Sequence, residues 1–242
     1  MKTKRWVIVG ATSAIAQAFA HTVAATGANL LLIARDVQEL EIIANDCRLR
    51  HHIDCETLCI DLQQNISPLL GRLQNEQEEL FVLLAASTII VNASLDSQNI
   101  DTMLQVNALA LSQIIHGYWQ KKQSTHRLIF LSSVAACCGR NKNSLYGGSK
   151  ALIETYLQGL QQQASKTQHL TIARLGFIDT VQTFGMKGIF YAAAPKDCAQ
   201  ACYRANLRGN RLIYFPFFWR PLMWIIGHVP FQLFRRVYTP RN

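Results

Sequence analysis

Acidic residues are scarce in this chain and run out well before its end. Its 242 residues carry 24 lysines and arginines against 15 aspartates and glutamates, for a net charge of +9, and only 16% are charged. No carboxylate side chain follows Asp197, whereas Arg204, Arg208, Arg211, Arg220, Arg235, Arg236 and Arg241 all do. A basic end of this kind suits nucleic acid, anionic lipid or a phosphorylated small molecule. The chain has no zinc-finger, basic-zipper or RNA-recognition signature, which sets nucleic acid aside. It has no apolar run of the ~20 residues that a membrane-spanning helix needs. The cysteines Cys47, Cys55, Cys59, Cys137, Cys138, Cys198 and Cys202 are odd in number and irregular in spacing, so no disulfide framework is expected. They read as thiols of a reducing, cytoplasmic compartment. Cys198 and Cys202 lie four apart on an expected helix, but no C-x-x-C partner or nearby histidine joins them, and no metal site is expected. The basic start Met1 to Arg5 and the stretch Ala18-Phe19-Ala20 outline a secretory signal. Gly10, Thr12 and Ser13 break its apolar run, and the same residues form a coherent nucleotide-binding turn.

Half the residues are hydrophobic, enough for a large core. Short apolar runs alternate with helical patterns. Strands are expected at Trp6 to Val9, Asn29 to Ala34, Glu56 to Ile60, Leu80 to Ala86, Leu128 to Ser132, Leu170 to Leu175 and Arg211 to Phe215. Helices are expected at Ala14 to Thr26, Val37 to Arg50, Ile100 to Gln120, Ser149 to Ser165 and Pro195 to Arg208. This alternation predicts an α/β fold, a doubly wound, seven-stranded parallel sheet of Rossmann-like type with helices on both faces. No linker or repeat divides the chain, so residues 1–242 read as one domain, with 212–242 as an aromatic and basic C-terminal extension.

Gly10-Ala11-Thr12-Ser13-Ala14-Ile15-Ala16 joins the first strand to the first helix. A dinucleotide pyrophosphate docks at such a turn, on N–H groups at a helix N-terminus. Arg35 closes the second strand, where the adenosine ribose would lie. An acid there would bind both ribose hydroxyls; an arginine favours a 2′-phosphate, with Ser13 close enough to help. The plainer reading is a solvated Arg35–Asp36 pair. Asp61, at the end of the third strand, is placed to hold an adenine amino group.

Tyr146 and Lys150 are spaced i, i+4, so on a helix both project from one face. An ammonium group beside a tyrosine favours its phenolate, which makes it a usable acid-base. Ser133 lies thirteen residues earlier, at the carboxyl edge of the sheet, where its hydroxyl can hold a reacting oxygen. Asn107 sits mid-helix although asparagine is a poor helix former. Each residue has a bland alternative: a chance Y-x-x-x-K spacing, a serine that only caps a turn, an asparagine on an exposed face. Their joint order and spacing favour chemistry.

Across residues 5 to 215 the chain resembles the short-chain dehydrogenases/reductases. Gly10 to Ala16 is similar to that family's glycine-rich motif, with Ala14 and Ala16 in place of its second and third glycines. Asn107, Ser133, Tyr146 and Lys150 match its catalytic tetrad. The resemblance implies that Tyr146 is the acid-base, Lys150 orients the nicotinamide ribose, Ser133 positions the substrate, and Asn107 holds a relay water. Ala34-Arg35-Asp36 resembles the form that prefers NADP(H) over NAD(H). The family's Asn-Ala-Gly after the fourth strand is Ala85-Ala86-Ser87 here, and its Pro-Gly after the sixth is Leu175-Gly176. The resemblance assigns cofactor contacts to Gly10, Thr12, Ser13, Ala14, Ile15, Arg35, Asp61, Leu62, Ala85, Ala86, Ser87, Tyr146, Lys150, Gly176, Ile178 and Thr180. It implies a hydride transfer between NADP(H) and a carbonyl or secondary alcohol, in a homo-oligomer. The competing reading is a catalytically silent NADP-binding or membrane-interaction module.

Leu212 to Phe234 is dense in aromatic residues and is interrupted by Pro216, Pro221 and Pro230. Tryptophan and arginine among large apolar residues suit a helix lying in a headgroup region, at the inner face of a membrane. The alternative is a helix packed over the substrate cleft or a subunit interface. The tail is loosely similar to that of bacterial family members resembling the decaprenylphosphoryl-2-keto-ribose reductases, which implies a small-molecule or lipid-like carbonyl substrate. Gln182 to Ala194 reads as a mobile lid.

Overall fold

The computed structural model describes residues 4–180 and 191–238. Seven parallel strands form one sheet in the order β3-β2-β1-β4-β5-β6-β7. The strands are β1 (Lys4–Val9), β2 (Asn29–Ala34), β3 (Cys55–Cys59), β4 (Glu79–Leu84), β5 (His126–Ser133), β6 (Gln168–Leu175) and β7 (Leu212–Phe215). The helices are α1 (Ala14–Ala24), α2 (Val37–His51), α3 (Ser67–Asn75), α4 (Ser97–Leu104), α5 (Leu111–Trp119), α6 (Ser144–Gln163), α7 (Pro195–Leu207), α8 (Trp219–His228) and α9 (Phe231–Tyr238).

Side-chain alternation divides the core in two. Trp6 and Ile8 of β1 and Leu30 and Leu32 of β2 face one side, with Phe19, Val23 and Cys202 from α1 and α7. Val7, Val9, Leu31 and Ile33 face the other side, with Leu69, Leu73, Leu111, Ile115 and Leu157 from α3, α5 and α6. All six residues of β4 are buried, as a strand covered on both faces requires. The doubly wound arrangement expected from the sequence is therefore present. Arg5, expected to belong to a basic leader if the chain began with a signal, is instead buried at the start of β1. It pairs there with Asp54 and Glu56 at 2.7 Å each and with Glu78.

The structure differs from the sequence expectation in three places. Helix α3 was not expected; it is short, opens near Pro68, and buries only Leu69 and Leu73. The long helix expected over Ile100 to Gln120 is broken by a π-helical segment, Gln105–Ala110, between α4 and α5. Helix α6 begins at Ser144, five residues before the expected start, because Gly147 and Gly148 do not break it. Gly147 is required there. A β-carbon on it would overlap the Ala135 carbonyl oxygen, so glycine lets α6 close onto the 3₁₀ turn Val134–Cys137 that follows β5.

The order of the strands places the site. β1 pairs with β2 on one side and β4 on the other, so successive connections leave in opposite directions at the carboxyl ends of β1 and β4. Ligands of open α/β sheets bind in that crevice.

Candidate active site

The turn after β1 is held tightly. Gly10 has φ +83° and donates its N–H to Ile33 O at 2.8 Å. A β-carbon on Gly10 would lie 2.5 Å from Ala86 N, so only glycine fits against the end of β4. Ser13 caps α1, its Oγ accepting from Ala16 N at 3.3 Å. Thr12 O accepts from Gln17 Nε2 at 2.9 Å. Ser13, Ala14 and Ile15 are half-buried, and the first-turn N–H groups of a helix have no acceptor within it. Ala16 is fully buried in the core, so its methyl group does not narrow the approach of a ligand to the turn.

Arg35 is exposed, and its guanidinium makes no ion pair among the described residues. The solvated Arg35–Asp36 pair does not form. Asp36 instead caps α2, accepting from Glu39 N at 2.9 Å, which commits its carboxylate away from the ribose position. Asp61 turns back on its own loop and accepts from Gln63 N at 2.9 Å, while Leu62 is buried in the core. Ala85 N and Ala86 N both donate to Val9 O, at 2.8 and 2.9 Å.

The tetrad residues converge. Tyr146 is only 7% exposed and packs on Met103 and Ala135. Ser133 caps the 3₁₀ turn, accepting from Ala135 N at 3.1 Å, and its hydroxyl also faces the Tyr146 phenol. Capping and facing the tyrosine are thus two roles of one side chain. Burial pushes the phenol above its ordinary pKa, while the Ser133 and Ser87 hydroxyls pull it down. Lys150 is fully buried. Its Nζ donates to Leu131 O at 2.9 Å and lies 4.8 Å from the Phe130 ring centre and 5.9 Å from that of Tyr146. Burial brings its pKa down to about 7, against the pull of Glu154. Desolvation dominates both groups, and the Ser133 and Ser87 hydroxyls act against it at the phenol.

Asn107 lies in the π-helical segment and is fully buried, so the exposed-face reading is excluded. Its Oδ1 accepts from Thr88 N and its Nδ2 donates to Thr88 O, both at 2.8 Å. Nδ2 also donates to Ser149 Oγ at 3.2 Å, and Ser149 Oγ donates to Tyr146 O at 2.8 Å. Isolated π turns occur frequently at functional sites.

Several residues here had no signal in the sequence. Ser149 lies i+3 from Tyr146 and is the most readable of them. Glu154, one turn beyond Lys150, is buried and paired with Arg174 of β6 at 2.6 Å. It also accepts from Ser132 Oγ at 2.5 Å, and Arg174 donates to Tyr214 Oη at 2.5 Å. Trp219 of α8 lies on Gly176, where any side chain would collide with the indole. Helix α8 therefore packs against Gly176 and Phe177 after β6, and its Trp219 and Met223 also pack on Val134 of the 3₁₀ turn after β5. Gly176 N donates to Phe215 O at 2.9 Å. Ile178 is buried and bridges Ala193, so the end of the expected lid returns to this segment. The remainder of that lid, residues 182–190, lies outside the described residues. No metal-binding group of three or more His, Cys, Asp or Glu occurs among the described residues.

A family model described as short chain dehydrogenase matches residues 4–183. An uncharacterized oxidoreductase of Mycobacterium tuberculosis is 27% identical over 239 residues, covering 96% of each chain. Another, from Staphylococcus epidermidis, is 26% identical over 191 residues, covering 76% of this chain and 82% of that protein. Among solved structures, a short-chain dehydrogenase from Sphingobium yanoikuyae in complex with NADPH superposes with a TM-score of 0.81 at 19% identity, over 94% of this chain and 96% of that one. A bulky-bulky ketone specific alcohol dehydrogenase from Comamonas testosteroni superposes with a TM-score of 0.80 at 17% identity, over 95% and 96%. The chain belongs to the short-chain dehydrogenase family and is a nicotinamide-dependent oxidoreductase of that family.

Proposed function

We propose that this short-chain dehydrogenase is an NADP(H)-dependent enzyme acting on a carbonyl or secondary alcohol, with Tyr146 as the acid-base. The observation that carries the reading is the convergence at one buried phenol of two serine hydroxyls, Ser133 and Ser87, with Lys150 one helical turn away. The nicotinamide, when bound, supplies or accepts the hydride. In reduction Tyr146 Oη gives its proton to the substrate oxygen, and in oxidation it takes that proton from the hydroxyl. Ser133 holds the same oxygen through its hydroxyl. Lys150 serves the ribose hydroxyls. Asn107 acts through its clamp on Thr88 and Ser149, which leaves its side chain committed.

For the cofactor, Gly10, Thr12, Ser13, Ala14 and Ile15 form the pyrophosphate turn. Arg35 takes the 2′-phosphate, supported by its exposed guanidinium, which forms no ion pair among the described residues, and by the capping role of Asp36. Asp61 and Leu62 border the adenine, Ala85, Ala86 and Ser87 the inner ribose, and Gly176, Ile178 and Thr180 the carboxamide.

Two surfaces bear on partners. Leu104, Leu109 and Leu152 stand exposed around a shallow cavity of about 740 Å³, and we read this face as the one that takes a second copy of the chain. The outer side of α8 and α9 is read as contacting an anionic membrane surface, supported by exposed Trp224 and Phe231 and by the lack of acids after Asp197. No helix of the described residues is long and apolar enough to cross a membrane.

Turnover of a panel of ketones and secondary alcohols by the wild type and Tyr146→Phe tests the assignment. The variant is expected to lose at least ~10²-fold in kcat while NADPH affinity changes little. Equal turnover by both would refute the role of Tyr146. NADPH binding without turnover in the wild type would leave the silent cofactor-binding module as the reading.

A further inference from the structure

A cavity of about 710 Å³, within the range of small-molecule sites, is bordered by β7, the 3₁₀ turn Val134–Cys137 and α8. None of Asn107, Ser133, Tyr146 and Lys150 lines it, nor does any residue assigned to the cofactor. Its wall has two chemically different sides. Phe217, Pro221, Met223 and Trp224 make one of them apolar. Arg174, Tyr214, Arg220 and Cys137 make the other, and no acidic or amide side chain lies among the lining residues. The charges there do not balance. Arg174 is committed to Glu154 at 2.6 Å, and Glu154 also accepts from Ser132 Oγ at 2.5 Å. Arg174 donates in addition to Tyr214 Oη at 2.5 Å, which uses the phenol as an acceptor and leaves its proton to give. The other neighbour of that phenol is the Cys137 sulfur at 3.9 Å, a weak acceptor. Arg220 is exposed in the first turn of α8 and forms no ion pair among the described residues. The cavity therefore presents one uncompensated positive charge and one poorly used O–H group.

A single guanidinium without a counter-ion is balanced by a monoanion, and its planar fork matches a carboxylate in two parallel bonds. A small ion alone would leave the apolar side wet: Phe217 and Trp224 are 70% and 67% exposed. A hydrocarbon chain laid along them removes that surface from water. We propose that this cavity binds a free long-chain carboxylate, with its headgroup on Arg220 and the Tyr214 hydroxyl and its chain along Phe217, Pro221, Met223 and Trp224. Arg174 orients the phenol without adding net charge, because Glu154 neutralises it. Trp224 also belongs to the outer face of α8 read above as a membrane contact. Phe231 belongs to that face alone and does not line the cavity, so the two surfaces can be told apart.

The test titrates laurate, kept below the concentration at which it aggregates, into the full chain by calorimetry. Saturable binding of one laurate per chain is expected. Acetate, which lacks the chain, should bind at least ~100-fold more weakly, and dodecyltrimethylammonium, the same chain on a cation, should not compete. Arg220→Gln is expected to weaken laurate at least ~10-fold and Tyr214→Phe about 3–10-fold, with NADPH affinity unchanged in both as the check on folding. Arg220→Glu, at an exposed position, should exclude laurate and admit the cationic amphiphile. Phe231→Ser should leave laurate affinity as it is. Laurate binding that does not saturate, or that survives Arg220→Glu, overturns the proposal. An equal loss in Phe231→Ser also overturns it, by assigning the amphiphile to the outer face of α8 and α9. Tighter binding of dodecyl phosphate than of laurate overturns the carboxylate headgroup. No arm needs turnover, so the outcome is independent of the reaction proposed above.

Discussion

Gly147 and Gly148 are adjacent on α6, between Tyr146 and Lys150, and alanine at each should have opposite consequences. At Gly148 a β-carbon meets nothing within 4 Å, so Gly148→Ala only improves helix propensity. That is worth about 0.5–1 kcal/mol in stability. At Gly147 the same methyl group overlaps the Ala135 carbonyl oxygen and lies 3.2 Å from its carbonyl carbon. Ordinary contact requires α6 and the 3₁₀ turn to separate by roughly 1 Å, and overpacking of this kind costs about 1–3 kcal/mol. The propensity gain is common to both variants, so the difference between them isolates the overlap, at about 1–3 kcal/mol in favour of Gly148→Ala. Urea denaturation of the two proteins measures it directly. The separation also carries Tyr146 away from Ser133, which sits at the start of that turn. A displacement of ~1 Å at reacting groups costs on the order of 10²-fold in rate, so Gly147→Ala should lose kcat and Gly148→Ala should keep it. Equal stability and equal kcat for the two variants would refute the close approach of α6 as the reason for glycine.

Lys150 makes stability depend on pH. Its ordinary pKa of 10.5 falls to about 7 in the folded chain through burial. Between those values the unfolded chain binds the additional proton, so stability rises with pH across that window, by up to about 1.4 kcal/mol per unit. Urea denaturation of wild type and Lys150→Met from about pH 7 to 9 should show the wild type gaining on the variant, and parallel curves would contradict it. Arg35→Asp should raise the NADPH Kd by about 10–100-fold, as expected for loss of charge-assisted bonds to a phosphate, while NADH binding holds or improves. Equal loss of both cofactors would remove the 2′-phosphate role.

The residues that carried a local signal were readable, and those that depend on tertiary approach were not. Strands β1 and β2 follow from apolar runs ended by Gly10 and Arg35, and their alternation sorts Trp6 and Val7 onto opposite faces. Tyr146 and Lys150 share a face because they lie i, i+4 on one helix. That helix starts at Ser144 rather than Ser149, and the glycine at 147 within its first turns is explained only by the approach of Ala135, which is distant in sequence. The π segment around Asn107 is decided by the clamp on Thr88, nineteen residues away. Glu154 and Arg174 are twenty residues apart on different elements, and nothing in either segment announces their pairing. Helix α3 buries two leucines in nine residues, too weak a period to register.

The aromatic tail supports two readings, and helix α8 has a face for each. Trp219 and Met223, one turn apart, are buried against Val134, and Trp219 covers Gly176; this face walls the segment assigned to the nicotinamide side of the site. Trp224 and Ile225 point away, 67% and 55% exposed, and α9 adds Phe231 and Leu233 at 73% and 52%. Exposed large apolar residues grouped on consecutive helices mark a contact surface. With no acid after Asp197, the charge of the surrounding segment favours an anionic surface. Binding of the full chain to phosphatidylglycerol vesicles, with phosphatidylcholine as control, is therefore expected. Trp224→Ser with Phe231→Ser should weaken it at least ~10-fold, since each side chain contributes on the order of 1 kcal/mol when partly buried. NADPH affinity should be unchanged, because neither residue touches Gly176. If the wild type ignores anionic vesicles, or the double variant binds them equally, the outer face has another use and only the packing role of α8 stands.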